Sequence, residues 1–180
     1  MATIANLLVI ILEAVGLSIS IPKRRWQLPA FYTQLSNLTA LASSLVFLLP
    51  GMDATQIRYL SSCMLTMTFL ITLFVLVPMG GGFKELMISG NGLYHHTLCP
   101  ILSVASYILW EPHGGSWIVP TVATTVYGLV MLYLNAKGRF DGPYPFFKVH
   151  EQSMAASILW TLGLICFIAA LSLVMGFVAQ

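Results

Sequence analysis

Apolar runs long enough to cross a bilayer recur along the whole chain, separated by short polar connections. A hydrocarbon core of roughly 30 Å needs about 20 apolar residues in a helix. Hydrophobic residues make up 58% of the 180 positions and charged residues only 8%, a composition that a soluble domain of this size does not need. Because lipid leaves the backbone of an open strand unpaired, we expect helices. We predict six transmembrane spans, at about residues 2–21, 31–49, 58–78, 92–110, 117–135 and 154–179.

Basic residues fall almost entirely in alternate connections. Seven of the eight Lys and Arg residues lie in the first, third and fifth connections, and only Arg58 lies elsewhere. The positive-inside rule places these connections in the cytoplasm and both termini outside. The sequence therefore predicts an all-α protein, a single domain over residues 1–180 that forms a bundle of six transmembrane helices.

The first apolar run is predicted to be a permanent span. Its basic cluster follows the run and Glu13 interrupts it, whereas a signal peptide carries its basic residues before the run. No eukaryotic sorting signal is evident, which favours a multi-pass protein of a bacterial cytoplasmic membrane. The net charge of +2 gives no reason to expect nucleic acid as a partner.

Polar residues at membrane depth are the candidate functional groups. A charge at mid-membrane costs on the order of 3 kcal/mol, so Glu13 is expected to face the bundle interior, either in a packing hydrogen bond to a neighbouring Ser or Thr or in a functional role. In the second span, Thr33, Ser36 and Asn37 share one helix face. Such small polar residues also serve as contacts between membrane helices.

The fourth span begins with two adjacent histidines, His95 and His96, followed by Pro100. A helical proline removes one backbone hydrogen bond and presses on the carbonyl four residues earlier, which is that of His96. We therefore expect a bend and a free carbonyl there. Since adjacent residues are about 100° apart on a helix, only one of the two imidazoles can face a given site.

This set of residues fits acyl transfer. Thr33 has a hydroxyl nucleophile, His96 is a suitable base, and Asn37 or Glu13 could hold the imidazole tautomer. The oxyanion donors would be backbone groups near Pro100 or a side chain such as that of Asn37. With one His pair near a span, we expect no metal and no cofactor.

The fifth connection is rich in aromatic and proline residues around Tyr144, Pro145 and Phe146. Its prolines, Pro143 and Pro145, predict a stiff, extended path. One interpretation is an interfacial aromatic belt with a basic anchor for anionic lipid. The other is a lid over a cytoplasmic pocket.

The order and spacing of these short motifs resemble those of the prokaryotic relatives of the androgen-induced membrane proteins. The similarity covers most of the chain and includes the Thr33 region, the paired histidines and the Tyr144-Pro145-Phe146 segment. The resemblance implies a six-span hydrolase that cleaves fatty acid esters of hydroxy fatty acids. It implies Thr33 as the nucleophile and His96 as the base, with His95 as the alternative base.

Three functions are compatible with the sequence. The leading prediction is a lipid esterase whose partners are membrane lipids and whose substrate is a fatty acyl ester that enters from the inner leaflet. A small transporter is the second, although no internal repeat is visible and transporters are usually built from repeats. The third is a noncatalytic membrane scaffold in which the polar residues only join helices.

Overall fold

The chain folds as a bundle of helices. The computed structural model describes residues 1–142 and 144–178, without the side chains of Arg24 and Trp26. The predicted all-α class is confirmed, because these residues contain helices and turns and no strand. We number six long helices among them, of which α3 and α4 each join consecutive pieces. They are α1 Ala2–Arg24, α2 Tyr32–Leu48, α3 Thr55–Ile71 with Thr72–Gly81, α4 Gly90–Gly92 with Leu93–Leu98 and Cys99–Trp110, α5 Ile118–Ala136, and α6 Met154–Val178.

Four of the described helices, α1, α3, α5 and α6, are long and apolar enough to cross a membrane. The predicted spans overlap all six helices, but α2 has only 17 residues and wide turns divide α4. The first predicted span ends at about residue 21, before Pro22, whereas α1 continues through Pro22 to Arg24. A proline this close to the end of a helix removes one backbone hydrogen bond from its last turn and does not interrupt the rest of the helix. The predicted end of the last span at 179, and Pro143, lie outside the described residues.

The distribution of polar and apolar side chains matches a lipid environment. Large apolar residues such as Val122, Val126, Leu159 and Phe177 are exposed on the outside of α5 and α6, whereas polar residues such as Asn6 are fully buried in the interior. An exposed apolar surface of this extent is unusual for a soluble monomer. The exposed surface of the bundle is therefore compatible with a membrane environment.

Helices α1, α2, α3 and α4 pack against one another, and the α5–α6 pair packs against α3. Because successive helices reverse direction, the ends with the basic connections lie together. We call this the basic end, and the other the opposite end. The basic end carries Lys23, Lys84, Lys137, Arg139 and Lys148.

A buried ion pair at the opposite end joins α3 to Glu111, the residue that follows α4. Arg58 Nε lies 2.7 Å from Glu111 Oε2, and both side chains are about 1% exposed. Hydroxyls of Ser43 and Ser44 accept from the Arg58 guanidinium, and Asn6 of α1 donates to Glu111. Arg58, which the sequence places at the start of a span, lies in the first turn of α3, and its guanidinium is held by residues of α2 and α4 and by Glu111.

Removing one partner of this pair should destabilise the bundle strongly. Glu111→Ala leaves the buried guanidinium without its counter-charge, a change that costs roughly 3–5 kcal/mol in buried pairs. We expect a large fall in the thermal unfolding temperature in detergent. The double variant Arg58→Met/Glu111→Leu should recover much of that loss, and an equal loss in both variants would contradict this account.

A close approach between α1 and α4 positions the turn that carries His95 and His96, which we call the histidine turn. A Cβ at Gly16 would overlap the imidazole of His95 and touch Tyr94 Cβ at 3.0 Å. Only glycine therefore lets α4 lie this near α1. The contact fixes how far the turn that carries His95 and His96 can move toward α1.

Gly16→Ala should therefore lower stability, by about 1–3 kcal/mol as for other overpacked sites. The matched control is Gly163→Ala on α6, where a Cβ would meet nothing within 4 Å. That substitution replaces an exposed helical glycine and should be neutral or stabilising by up to about 1 kcal/mol. Thermal unfolding of the two variants side by side checks the prediction, and equal unfolding temperatures would refute it.

Candidate functional site

Thr33 and His96 meet at the basic end of the bundle. Thr33 lies in the first turn of α2 and is 7% exposed. Its Oγ1 is 3.2 Å from His96 Nε2 on α4, which is hydrogen-bonding distance. The structure thus brings together the two residues that the sequence analysis paired, from positions 63 apart in the chain.

The side chains of the histidine turn satisfy backbone carbonyls of the helical piece that precedes it. The segment Lys84–Ile88 ends before α4 and leaves carbonyls that its own turn does not use. His96 Nδ1 lies 2.6 Å from the Leu86 carbonyl, and Thr97 Oγ1 donates to the Met87 carbonyl at 2.7 Å. The conformation of the backbone therefore fixes the ring of His96.

This contact assigns the tautomer of His96. A carbonyl oxygen only accepts hydrogen bonds, so Nδ1 carries a proton, and whenever the ring is neutral its Nε2 presents a lone pair to Thr33. The predicted orienting partners, Asn37 and Glu13, do not fill this position, because a backbone carbonyl does. The result is an imidazole poised to accept the Thr33 hydroxyl proton.

The backbone carbonyl that Pro100 leaves without a helical partner is that of His95, one residue before the predicted carbonyl of His96. Leu93–Leu98 is a wide helical piece in which Cys99 N–H donates to the Tyr94 carbonyl, five residues earlier. In that register the missing N–H of Pro100 would have paired with His95 O, and not with the predicted carbonyl of His96. Asn37 Nδ2 donates to the His95 carbonyl at 3.1 Å and to the Thr33 carbonyl at 2.6 Å. Asn37 thus joins the turns of Thr33 and His95.

His95 faces away from Thr33 into the interior. Its Nδ1 lies 3.1 Å from Gln34 Nε2, and its Nε2 lies 3.5 Å from Glu13 Oε2. His95 and Glu13 are both fully buried. Glu13 faces the interior as expected, but its near neighbour is an imidazole and not a Ser or Thr. The two histidines serve different sites, which favours His96 over His95 as the partner of Thr33.

The Tyr144 segment reaches the same site. Thr33 N–H donates to the Tyr144 hydroxyl at 3.2 Å, and the same hydroxyl lies 3.3 Å from Thr33 Oγ1. Pro145–Phe147 forms a short helical turn in which Phe146 and Phe147 are buried. The aromatic segment therefore packs into the bundle beside Thr33, so it is not only a belt at the surface.

A cavity opens beside Thr33 between α2, α3, α5 and α6. Its enclosed volume is about 60 Å³, below the roughly 300–1,000 Å³ of pockets that enclose a whole drug-sized ligand, and it continues into open space at the surface of the bundle. Its wall is mainly apolar, with several threonine hydroxyls. Residues that line it include Thr33, Tyr144, Ile71, Leu76, Leu132 and Ile168.

Sequence reasoning missed two groups of this site. Gln34 was not considered, although it lies three residues before Asn37 and both contact His95. The Leu86 carbonyl could not be found from sequence, because its availability depends on where a helix ends. Within the described residues, no cluster of three His, Cys, Asp or Glu side chains could hold a metal ion.

The chain matches no protein-family model, and no curated protein or solved structure is detectably similar to it.

Proposed function

We propose that this protein is an intramembrane lipid hydrolase that cleaves fatty acyl esters, with Thr33 as nucleophile and His96 as general base. The observation that carries the proposal is the contact of 3.2 Å between Thr33 Oγ1 and His96 Nε2, at the wall of an apolar cavity. A hydroxyl beside a neutral imidazole is the arrangement by which hydrolases activate a weak nucleophile.

The proposed topology is six spans with both termini outside and the basic connections in the cytoplasm. The distribution of basic residues supports it, as do four helices of membrane-spanning length. In this topology α2 is a shorter span that neighbouring segments complete, and α4 is a span interrupted by wide turns. The site then lies in the cytoplasmic half of the bilayer, and the protein belongs to a cell membrane, with a bacterial cytoplasmic membrane as our proposal.

The reaction follows from the placement of the two side chains. Thr33 Oγ1 attacks the ester carbonyl carbon while its proton passes to His96 Nε2. The tetrahedral intermediate collapses to acyl-Thr33, and the imidazolium returns the proton to the leaving alcohol oxygen. Water then attacks the acyl group, gives its proton to His96, and the released Thr33 oxygen takes that proton back.

The cavity supports a lipid substrate. An acyl chain would lie along the apolar wall formed by α3, α5 and α6, while the ester stays beside Thr33. Resemblance to the androgen-induced membrane proteins further supports esters of hydroxy fatty acids as the substrate class. A noncatalytic scaffold would need only the hydrogen bonds between helices, whereas the open cavity at Thr33 favours an enzyme.

Activity should depend on the hydroxyl of Thr33 and the imidazole of His96. His96→Ala should lower kcat by about 10²–10⁴-fold, the usual contribution of a general base. Thr33→Ala should abolish turnover, whereas Thr33→Ser keeps a hydroxyl nucleophile and should retain part of the activity. Hydrolysis of a hydroxy fatty acid ester by the purified protein in detergent measures these effects.

The matched control is Thr39→Ala, because the Thr39 hydroxyl donates to the Leu35 carbonyl of its own helix and to no other group among the described residues. It should leave kcat unchanged. A fluorophosphonate probe should label the wild-type protein at Thr33, as found by mass spectrometry, and should not label Thr33→Ala. Full turnover by a folded Thr33→Ala protein would refute the hydrolase proposal.

Filling the cavity should shorten the accepted acyl chain. Gly128 lines the cavity, and a Cβ there would lie 4.0 Å from the ring of Phe147, so Gly128→Leu would occupy space meant for the substrate. We expect kcat/KM to fall for long-chain esters and to change little for short-chain ones. Gly163→Leu, at an exposed position of α6, is the control. A uniform loss for all chain lengths would contradict the assignment of the cavity.

A further inference from the structure

We infer that Tyr144 is the oxyanion donor of this site: its hydroxyl hydrogen-bonds the carbonyl oxygen of the ester as that oxygen becomes negative. The inference rests on the proposed acyl transfer to Thr33. It gives the fifth connection a direct part in the chemistry, beyond the lid or membrane belt that its sequence predicts.

The position of the hydroxyl relative to the nucleophile is the first argument. Tyr144 OH is 3.3 Å from Thr33 Oγ1 and accepts the Thr33 N–H at 3.2 Å. In the tetrahedral intermediate the oxyanion is two bonds from Thr33 Oγ1. The charge therefore forms within reach of a hydroxyl placed this close to the attacking atom.

The directions of the protons are the second argument. His96 Nε2 takes the Thr33 hydroxyl proton, and the backbone N–H of Thr33 already points at the phenol oxygen. The proton of Tyr144 is then oriented toward Thr33 Oγ1 and the ester beside it. As Oγ1 bonds to carbon, its lone pair becomes a poorer acceptor and the new oxyanion a better one. A hydrogen bond that strengthens in the transition state is the kind that accelerates a reaction.

The rigidity of the segment is the third argument. The ring of Tyr144 stacks on Phe146 with centroids 5.2 Å apart and planes 11° apart, and it meets Phe147 edge-on at 6.0 Å. Tyr144 is 8% exposed. The amide of Gln152 donates to the Phe146 carbonyl and so ties the turn to the start of α6. Tyr144 is thus a fixed donor in an environment of low dielectric constant, where one hydrogen bond to a charge is strong.

Asn37, the side chain first considered for this role, is already committed. A carboxamide has two N–H groups, and those of Asn37 donate to the carbonyls of Thr33 and His95. Asn37 is therefore a positioning residue that joins α2 to α4. Tyr144 is the polar side chain that the structure places beside Thr33 from the cavity wall.

The test is Tyr144→Phe, which removes the hydroxyl and keeps the stacked ring. With a p-nitrophenyl fatty acyl ester as probe, we expect kcat to fall about 10²–10³-fold, as for loss of one oxyanion donor elsewhere, with KM nearly unchanged. Affinity for a trifluoromethyl ketone, which forms a tetrahedral adduct with Thr33, should fall by a similar factor. Affinity for an uncleavable ether analogue of the substrate should not change.

The matched control is Tyr133→Phe, because Tyr133 is 57% exposed on the outside of α5. It should behave like wild type. Wild-type kcat in Tyr144→Phe, with Thr33→Ala inactive, would overturn the role of Tyr144 and leave the Thr33 hydrolase intact. Equal losses of affinity for the ketone and the ether would assign Tyr144 to packing and overturn its role as well. A wild-type protein that neither cleaves the ester nor binds the ketone would overturn both proposals.

Discussion

Backbone carbonyls at the ends of short helical pieces determine how the candidate site is built. In an apolar environment each such carbonyl needs a partner within the protein. Near α4 these partners are side chains: His96 for Leu86, Thr97 for Met87 and Asn37 for His95. One constraint therefore orients the imidazole, sets its tautomer and joins α4 to the turn of Thr33. The chemistry of the site follows from the need to satisfy the backbone.

Buried polar side chains find their partners in different ways at the two ends of the bundle. At the opposite end, a guanidinium and a carboxylate satisfy each other, with serines and Asn6 around them, and the cluster joins α1, α2, α3 and α4. At the basic end, hydroxyls and an imidazole share hydrogen bonds around Thr33, with a cavity beside them. The cavity lies where α5 and α6 pack only partly against the first four helices, so this end has both polar groups and an apolar opening beside them.

Apolar patterning predicted the helices well because length and hydropathy are local properties. Helical periodicity also separated the two histidines, and His95 and His96 indeed face different sites. The contact of Tyr144 with Thr33 could not be predicted from the sequence, because it depends on the path of a loop 111 residues further along the chain. The burial of Arg58 was missed for a similar reason: its partner Glu111 lies 53 residues further along, and a single basic residue at the start of a predicted span gives no sign of a buried ion pair. The wide turn before Pro100 moved the released carbonyl from His96 to His95, because proline effects were counted in an α-helical register.

The threonines of the cavity wall have a consequence for the second half of the proposed reaction. An acyl-enzyme inside a bilayer is long-lived unless water reaches it, and water enters only cavities that offer several polar partners. The hydroxyls of Thr68 and Thr124 are bonded to Ser36 and Tyr32, while Thr125 Oγ1 has no hydrogen-bond partner among the described residues. A long acyl chain that covered these hydroxyls would keep the cavity dry, and a short one would leave them wet. Substrate length would then govern the rate of deacylation through hydration, independently of how tightly the chain binds.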